Sequence, residues 1–107
     1  MDGNTTLQDM KNRLDDFADK RGWKAFHKPR NLAISISLEA AELLELFQWD
    51  DKNDLESMKA DGSYQMLKDE LADVIHYCFQ MANAMDIDIA DCINEKLKKT
   101  AVKYPEK

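Results

Sequence analysis

Glycine and proline are scarce in this chain, with three Gly and two Pro in 107 residues. So little turn-forming material excludes an architecture of short strands and tight turns, and there are no repeats or low-complexity tracts. Cysteine is scarce too. Cys78 and Cys92 lack Cys-x-x-Cys spacing and sit inside helical patterns, which excludes a disulfide framework and reads as two reduced core thiols in a cytosolic protein. Positive charge is in deficit, giving a formal net charge of −6. A nucleic-acid backbone is therefore excluded as the main partner, because that affinity needs Lys and Arg to displace counterions. No apolar stretch approaches the roughly 18 residues that cross a bilayer, and Met1-Asp-Gly-Asn-Thr5 has no basic and apolar run of a secretory leader. A soluble, cytoplasmic protein is the expectation.

What is present is helix-forming. Ala, Leu, Met, Lys and Glu lose little entropy in a helix, and Asp suits helix ends, so an all-α chain in one domain spanning 1–107 is predicted. The first helix runs from Thr6, capped there with Asp9 three residues on, to about Lys20, with Leu7, Met10, Leu14 and Phe17 as its apolar stripe and Gly22 as its stop. Pro29 suits the first turn of a second helix, predicted to be the longest and to reach about Trp49. The polar segment 50–63 is a connection with one short helical turn around Leu55 to Met58. A third helix covers Tyr64 to Met85. A fourth, capped by Asp88, ends near Tyr104-Pro105.

Two acidic pairs at helical spacing, Glu39-Ala-Ala-Glu42 and Glu70-Leu-Ala-Asp73, fall in the two most apolar stretches. Carboxylates without a cationic partner are costly there, whereas hard divalent cations such as Mg²⁺ select clusters of Asp and Glu. At about 100° per residue, Ser35, Glu39, Glu42, Leu46 and Trp49 share one narrow sector of the second helix, with apolar residues on both sides, so that helix is expected to be buried nearly all round. Glu70, Asp73 and Tyr77 share a sector of the third. Antiparallel packing of the two helices would converge both pairs on a shared cation site. The alternative is two solvated acidic faces around, at most, a structural cation, as in a non-catalytic helical interaction module. Glu45 rotates away from Glu39 and is read as solvated or as an outer support of the ligands. His76 follows Asp73 at the spacing of a di-iron ligand pair, but that motif needs a second copy and His27 stands in a connection, so His76 is given a partly exposed structural role. Trp23 and Trp49, at helix boundaries, either cap the core or stack on a planar ring. Lys96, Lys98, Lys99 and Lys103 make the last helix locally basic, either for phosphates or as an ordinary solvated face.

Together Glu39-x-x-Glu42 and Glu70-x-x-Asp73 resemble the ExxE and ExxD motifs of the MazG-like all-α nucleoside triphosphate pyrophosphohydrolases. The resemblance runs from Leu7 to Pro105 through Arg21-Gly-Trp23, Phe26-His-Lys-Pro-Arg-Asn31, Phe47-Gln-Trp49, Asp69-Glu-Leu-Ala-Asp-Val74 and Lys103-Tyr-Pro105, and points to the small single-domain branch that includes the dCTP pyrophosphatases. It implies a four-helix MazG-like bundle and Mg²⁺-dependent hydrolysis of a (d)NTP, of dCTP or dATP type, to the monophosphate and pyrophosphate, in house-cleaning or control of the dNTP pool. Glu39, Glu42, Glu70 and Asp73 would be catalytic metal ligands. Trp23 and Trp49 would stack on the base, Tyr77 would line the nucleotide pocket, and Lys96 and Lys103 would reach phosphates. It also implies intertwined dimers, often paired into homotetramers.

Overall fold

The structure, a computed structural model, describes residues 1–49 and 54–107. Five α-helices occur among these residues and no strand: α1 (Leu7–Lys20), α2 (Pro29–Glu45), α3 (Leu55–Asp61), α4 (Ser63–Ala84) and α5 (Ile89–Lys103), with a 3₁₀ turn at Lys24–Phe26 between α1 and α2. The all-α expectation holds.

Helix starts follow their local chemistry. Thr6 Oγ1 accepts from the Asp9 amide at 3.0 Å while Asp9 Oδ2 accepts from the Thr6 amide at 3.0 Å, a reciprocal cap that occupies two otherwise unpaired donors. Pro29 opens α2, where its missing N–H costs nothing. Asp88 caps α5 by accepting from the Asp91 amide at 2.9 Å. Gly22, at φ 68°, supplies the left-handed residue that turns the chain out of α1.

Three expectations need correction. The second helix ends at Glu45 rather than near Trp49, because Phe47 and Gln48 donate to carbonyls three residues back in a tightening turn. The longest helix is therefore α4, with 22 residues. The short turn expected near Leu55 is a seven-residue helix of its own, capped by Asp54 and separated from α4 by Gly62 at φ 83°, and it joins the four expected helices as a fifth among the described residues. Of the predicted connection 50–63, residues 50–53 lie outside the described residues.

Helix α4 is the hub, packed most extensively along α2 and also against α1 and α3, while α5 touches the rest only slightly. Ala18, Leu32, Met58 and Ala82 are the buried apolar residues among those described. Helix α2 is not buried all round in the single chain, since Ile34, Leu38 and Leu44 remain exposed, and Cys78 and Cys92 are exposed free thiols rather than core ones. The radius of gyration is 16.5 Å, against about 13 Å for a compact chain of this length. One copy is an open frame whose apolar faces outnumber its core.

Candidate metal centre

Helices α2 and α4 bring the four predicted carboxylates together. Glu39, Glu42, Glu70 and Asp73 each offer an oxygen, and these oxygens all lie within 4.8 Å of one another. Glu39 and Glu42 are one turn apart on α2, and Glu70 and Asp73 one turn apart on α4, so a single helix–helix contact gathers all four. Glu39 and Glu70 are half-buried, and Glu42 and Asp73 lie at the exposed rim.

The electrostatics are those of a site lacking positive charge. Glu39 Oε2 and Glu70 Oε2 are shut off from solvent and have no hydrogen-bond partner. Burial, then a hydrogen bond to Glu42 and the negative charges of Glu42, Asp73 and Glu70, push the Glu39 carboxyl up to about 7. Burial, hydrogen bonding to Glu42 and the charges of Glu42, Asp73 and Asp69 raise Glu70 in the same direction. Two ionised carboxylates are both acceptors, so a hydrogen bond between them requires a proton held by one of the pair. A divalent cation held by these carboxylates would take the place of that proton and supply the positive charge that Glu39 Oε2 and Glu70 Oε2 lack. The donor set of four carboxylates fits a hard ion such as Mg²⁺ and offers nothing to a soft one.

The other singled-out residues divide. Tyr77 follows Asp73 by one turn on α4, half-buried, its ring stacked on His76 with centroids 5.6 Å apart. His76 meets Phe17 edge-on at 6.1 Å, and Phe17 meets Trp23 edge-on at 5.6 Å, so an aromatic chain ties the connection after α1 to α4 beside the carboxylates. His76 is partly exposed, and burial outweighs the pull of Asp73 to lower its pKa. Trp49 stands beyond the end of α2 and is 89% exposed. Lys96 and Lys103 are exposed on α5, and that helix barely touches the rest of the chain, so a single copy does not bring them to the carboxylates. Glu45 is exposed at the end of α2 and does not join the cluster.

Sequence reasoning passed over Gln80. It is 2% exposed, the one buried polar residue among those described, and its amide nitrogen donates to the Leu14 carbonyl at 2.9 Å and to His76 Nε2 at 3.1 Å. The available signal was a lone amide on the stripe of Asp73, Tyr77 and Gln80, spaced i, i+4, i+7.

Comparison with known proteins places this arrangement. The profile of the MazG-like family matches residues 34–107. The chain is 35% identical over 103 residues to human dCTP pyrophosphatase 1 and 34% identical over 103 residues to the mouse protein, each alignment covering 94% of this chain. The chain spans 59% of the length of these mammalian relatives. The crystal structure of a pyrophosphatase from Archaeoglobus fulgidus superposes with a TM-score of 0.83 at 36% identity, covering 94% of this chain and 93% of that one. With one acidic pair inside the matched segment on each of two packed helices, the chain belongs to the MazG-like family.

Proposed function

We propose that this protein is a nucleoside triphosphate pyrophosphohydrolase that converts a (d)NTP, of dCTP or dATP type, to the monophosphate and pyrophosphate. The convergence of four carboxylates with two stranded oxygens carries the reading. The names of the mammalian and archaeal relatives support it. In the reaction, water oxygen bonds to the α-phosphorus, the bond from that phosphorus to the α–β bridging oxygen breaks, pyrophosphate leaves, and the water's proton is released.

Glu39, Glu42, Glu70 and Asp73 would hold Mg²⁺, which when bound supplies neutralisation of phosphate charge and acidification of a water molecule. The chain's own contribution is placement. Helices rather than loops carry the carboxylates, so their oxygens are fixed relative to one another before substrate arrives. Tyr77 and Trp23 offer ring faces to the base beside the carboxylates, and Trp49, Lys96 and Lys103 complete the site from exposed positions.

Those exposed positions suit a homo-oligomer, a dimer or a dimer of dimers. An open frame with Ile34, Leu38 and Leu44 uncovered on α2 and a nearly free α5 gains its missing core from a second copy. Light scattering on a sizing column should give a mass at least twice the 12.4 kDa of one chain. A stable 12.4 kDa species would remove this part of the proposal. No helix among the described residues is long and apolar enough to cross a membrane, and we place the enzyme in the cytoplasm, where its substrates are made.

The direct test is incubation with each canonical (d)NTP, with and without Mg²⁺, and separation of products by ion exchange. Monophosphate plus pyrophosphate, formed only with the cation, is expected. Release of orthophosphate, or no turnover of any nucleotide, would sink the proposed reaction and favour a non-catalytic helical module.

A further inference from the structure

We propose that Gln80, together with Asn83, selects nucleobases carrying an exocyclic amino group at the edge that enters the cavity these residues line. The inference rests on the reaction proposed above and names the residues that would choose among its substrates.

A cavity of about 390 Å³ opens between α1, the connection after it and α4, lined by Asp15, Lys24, His27, Gln80, Asn83 and Ala84. Its volume lies in the ordinary range for small-ligand pockets. Its position relative to the carboxylates follows from helix geometry. Asp73, Tyr77, Gln80 and Ala84 succeed one another at spacings of four, three and four, so they form one stripe along α4. From Asp73 to Gln80 the helix rises by about 10 Å. That matches the reach of a nucleotide from its α-phosphate, across the sugar, to the far edge of its base. A substrate whose phosphates meet the carboxylates and whose base passes Tyr77 ends at Gln80.

The polarity of that end is set by hydrogen bonds already made. Gln80 Nε2 uses both hydrogens, one on the Leu14 carbonyl at 2.9 Å and one on His76 Nε2 at 3.1 Å. An amide nitrogen can only donate, so His76 Nε2 is the acceptor and the ring proton sits on Nδ1. The amide cannot turn over, because Oε1 would then face the Leu14 carbonyl, acceptor against acceptor. Asn83 is held in the same sense, its Nδ2 donating to the Lys11 carbonyl at 3.0 Å. Lys24, in the cavity wall, is paired with Asp15 at 3.1 Å. Gln80 Oε1 has no partner among the described residues, and neither has Asn83 Oδ1.

Two fixed amide side chains thus spend donors on the α1 carbonyls of Leu14 and Lys11 and on His76, and keep their acceptors. An amino group has two hydrogens to give. Cytosine at C4 and adenine at C6 present that group, whereas uracil, thymine and guanine present a carbonyl at the corresponding atom. A carbonyl brought to Gln80 Oε1 leaves two acceptors facing each other out of water, and unpaired polar groups in a site are the strongest basis for rejecting an analogue.

The test compares kcat/KM for dCTP, for dUTP, and for a deoxynucleoside triphosphate whose pyrimidin-2-one ring carries hydrogen at position 4. With wild-type protein and Mg²⁺, dCTP should exceed each of the others by at least about tenfold. In Gln80→Leu, similar in size but without the acceptor, the ratio of dCTP to dUTP should fall by a comparable factor through loss on dCTP. A residue that served packing alone would lower both substrates together and leave the ratio intact, and that outcome overturns the assignment. Should the variant fail to fold, the three substrates on wild-type protein decide, since equal kcat/KM for all three overturns it as well. Turnover of none of them, nor of dATP, defeats the proposed reaction and this inference with it, whereas turnover without discrimination defeats this inference alone.

Discussion

Glu42→Gln is expected to lower turnover by about a thousandfold, since loss of one preorganised electrostatic contact commonly costs roughly 10²–10³ in kcat, and at the same time to raise the melting temperature of the metal-free protein. The two effects share a cause. Glu42 is the neighbour to which both Glu39 and Glu70 are hydrogen-bonded and by which both are repelled. With glutamine in its place one negative charge is gone, and an amide N–H becomes available near two buried oxygens, Glu39 Oε2 and Glu70 Oε2, that have no donor. The same change removes a fully charged carboxylate from the centre proposed to hold a doubly charged ion. A residue that helps folding would, when replaced, lower the melting temperature. A residue retained for chemistry against the interest of the fold raises it. The measurements are steady-state turnover with Mg²⁺ and a circular dichroism melt in chelator at pH 8. Turnover within tenfold of wild type, or a lower melting temperature without metal, would show that the four carboxylates do not work as one centre.

How far the chain could be understood before its structure depends on the range of the interaction concerned. Thr6 with Asp9, Pro29, Gly22 and Asp88 act within one turn of themselves, and each stands where its neighbours in sequence imply. The acidic pairs were legible because two helices of fixed period carry them, one turn apart on each, so that a single contact between the two helices gathers all four. The end of α2 was not legible. Leu46, Phe47 and Trp49 prolong the apolar pattern of the helix with no Gly or Pro to interrupt it, yet the backbone tightens after Glu45. Burial was misread for a different reason. The apolar excess of α2 indicates something to be covered but not by what, and within one chain Leu38 and Leu44 stay uncovered. Gln80 needed the fold itself, because its orientation is set by the Leu14 carbonyl of α1, 66 positions away in the chain.

The second large effect concerns pH and metal together, and its sign follows from the carboxylates. Glu39 titrates near 4.5 when unfolded and about 7 when folded, so the metal-free folded state holds a proton that the unfolded state has released. Its favourable contribution is complete below the unfolded value and is lost as pH rises through 7, and Glu70 adds in the same direction. His27 and His76 act oppositely. Burial lowers both, so what they contribute is present above 6.5 and is lost as pH falls below it. A plain melting curve against pH therefore mixes two opposed trends. The shift produced by Mg²⁺ separates them, because a cation gains most where the carboxylates have no proton to displace. We expect saturating Mg²⁺ to raise the melting temperature strongly at pH 8, less at pH 6.5, and hardly at all at pH 5, with the shift at pH 8 growing as the logarithm of Mg²⁺ concentration. In Glu42→Gln that dependence should flatten, since both the repulsion and a ligand are gone. A Mg²⁺ shift of equal size at pH 5 and pH 8 would place the cation somewhere other than among Glu39, Glu42, Glu70 and Asp73.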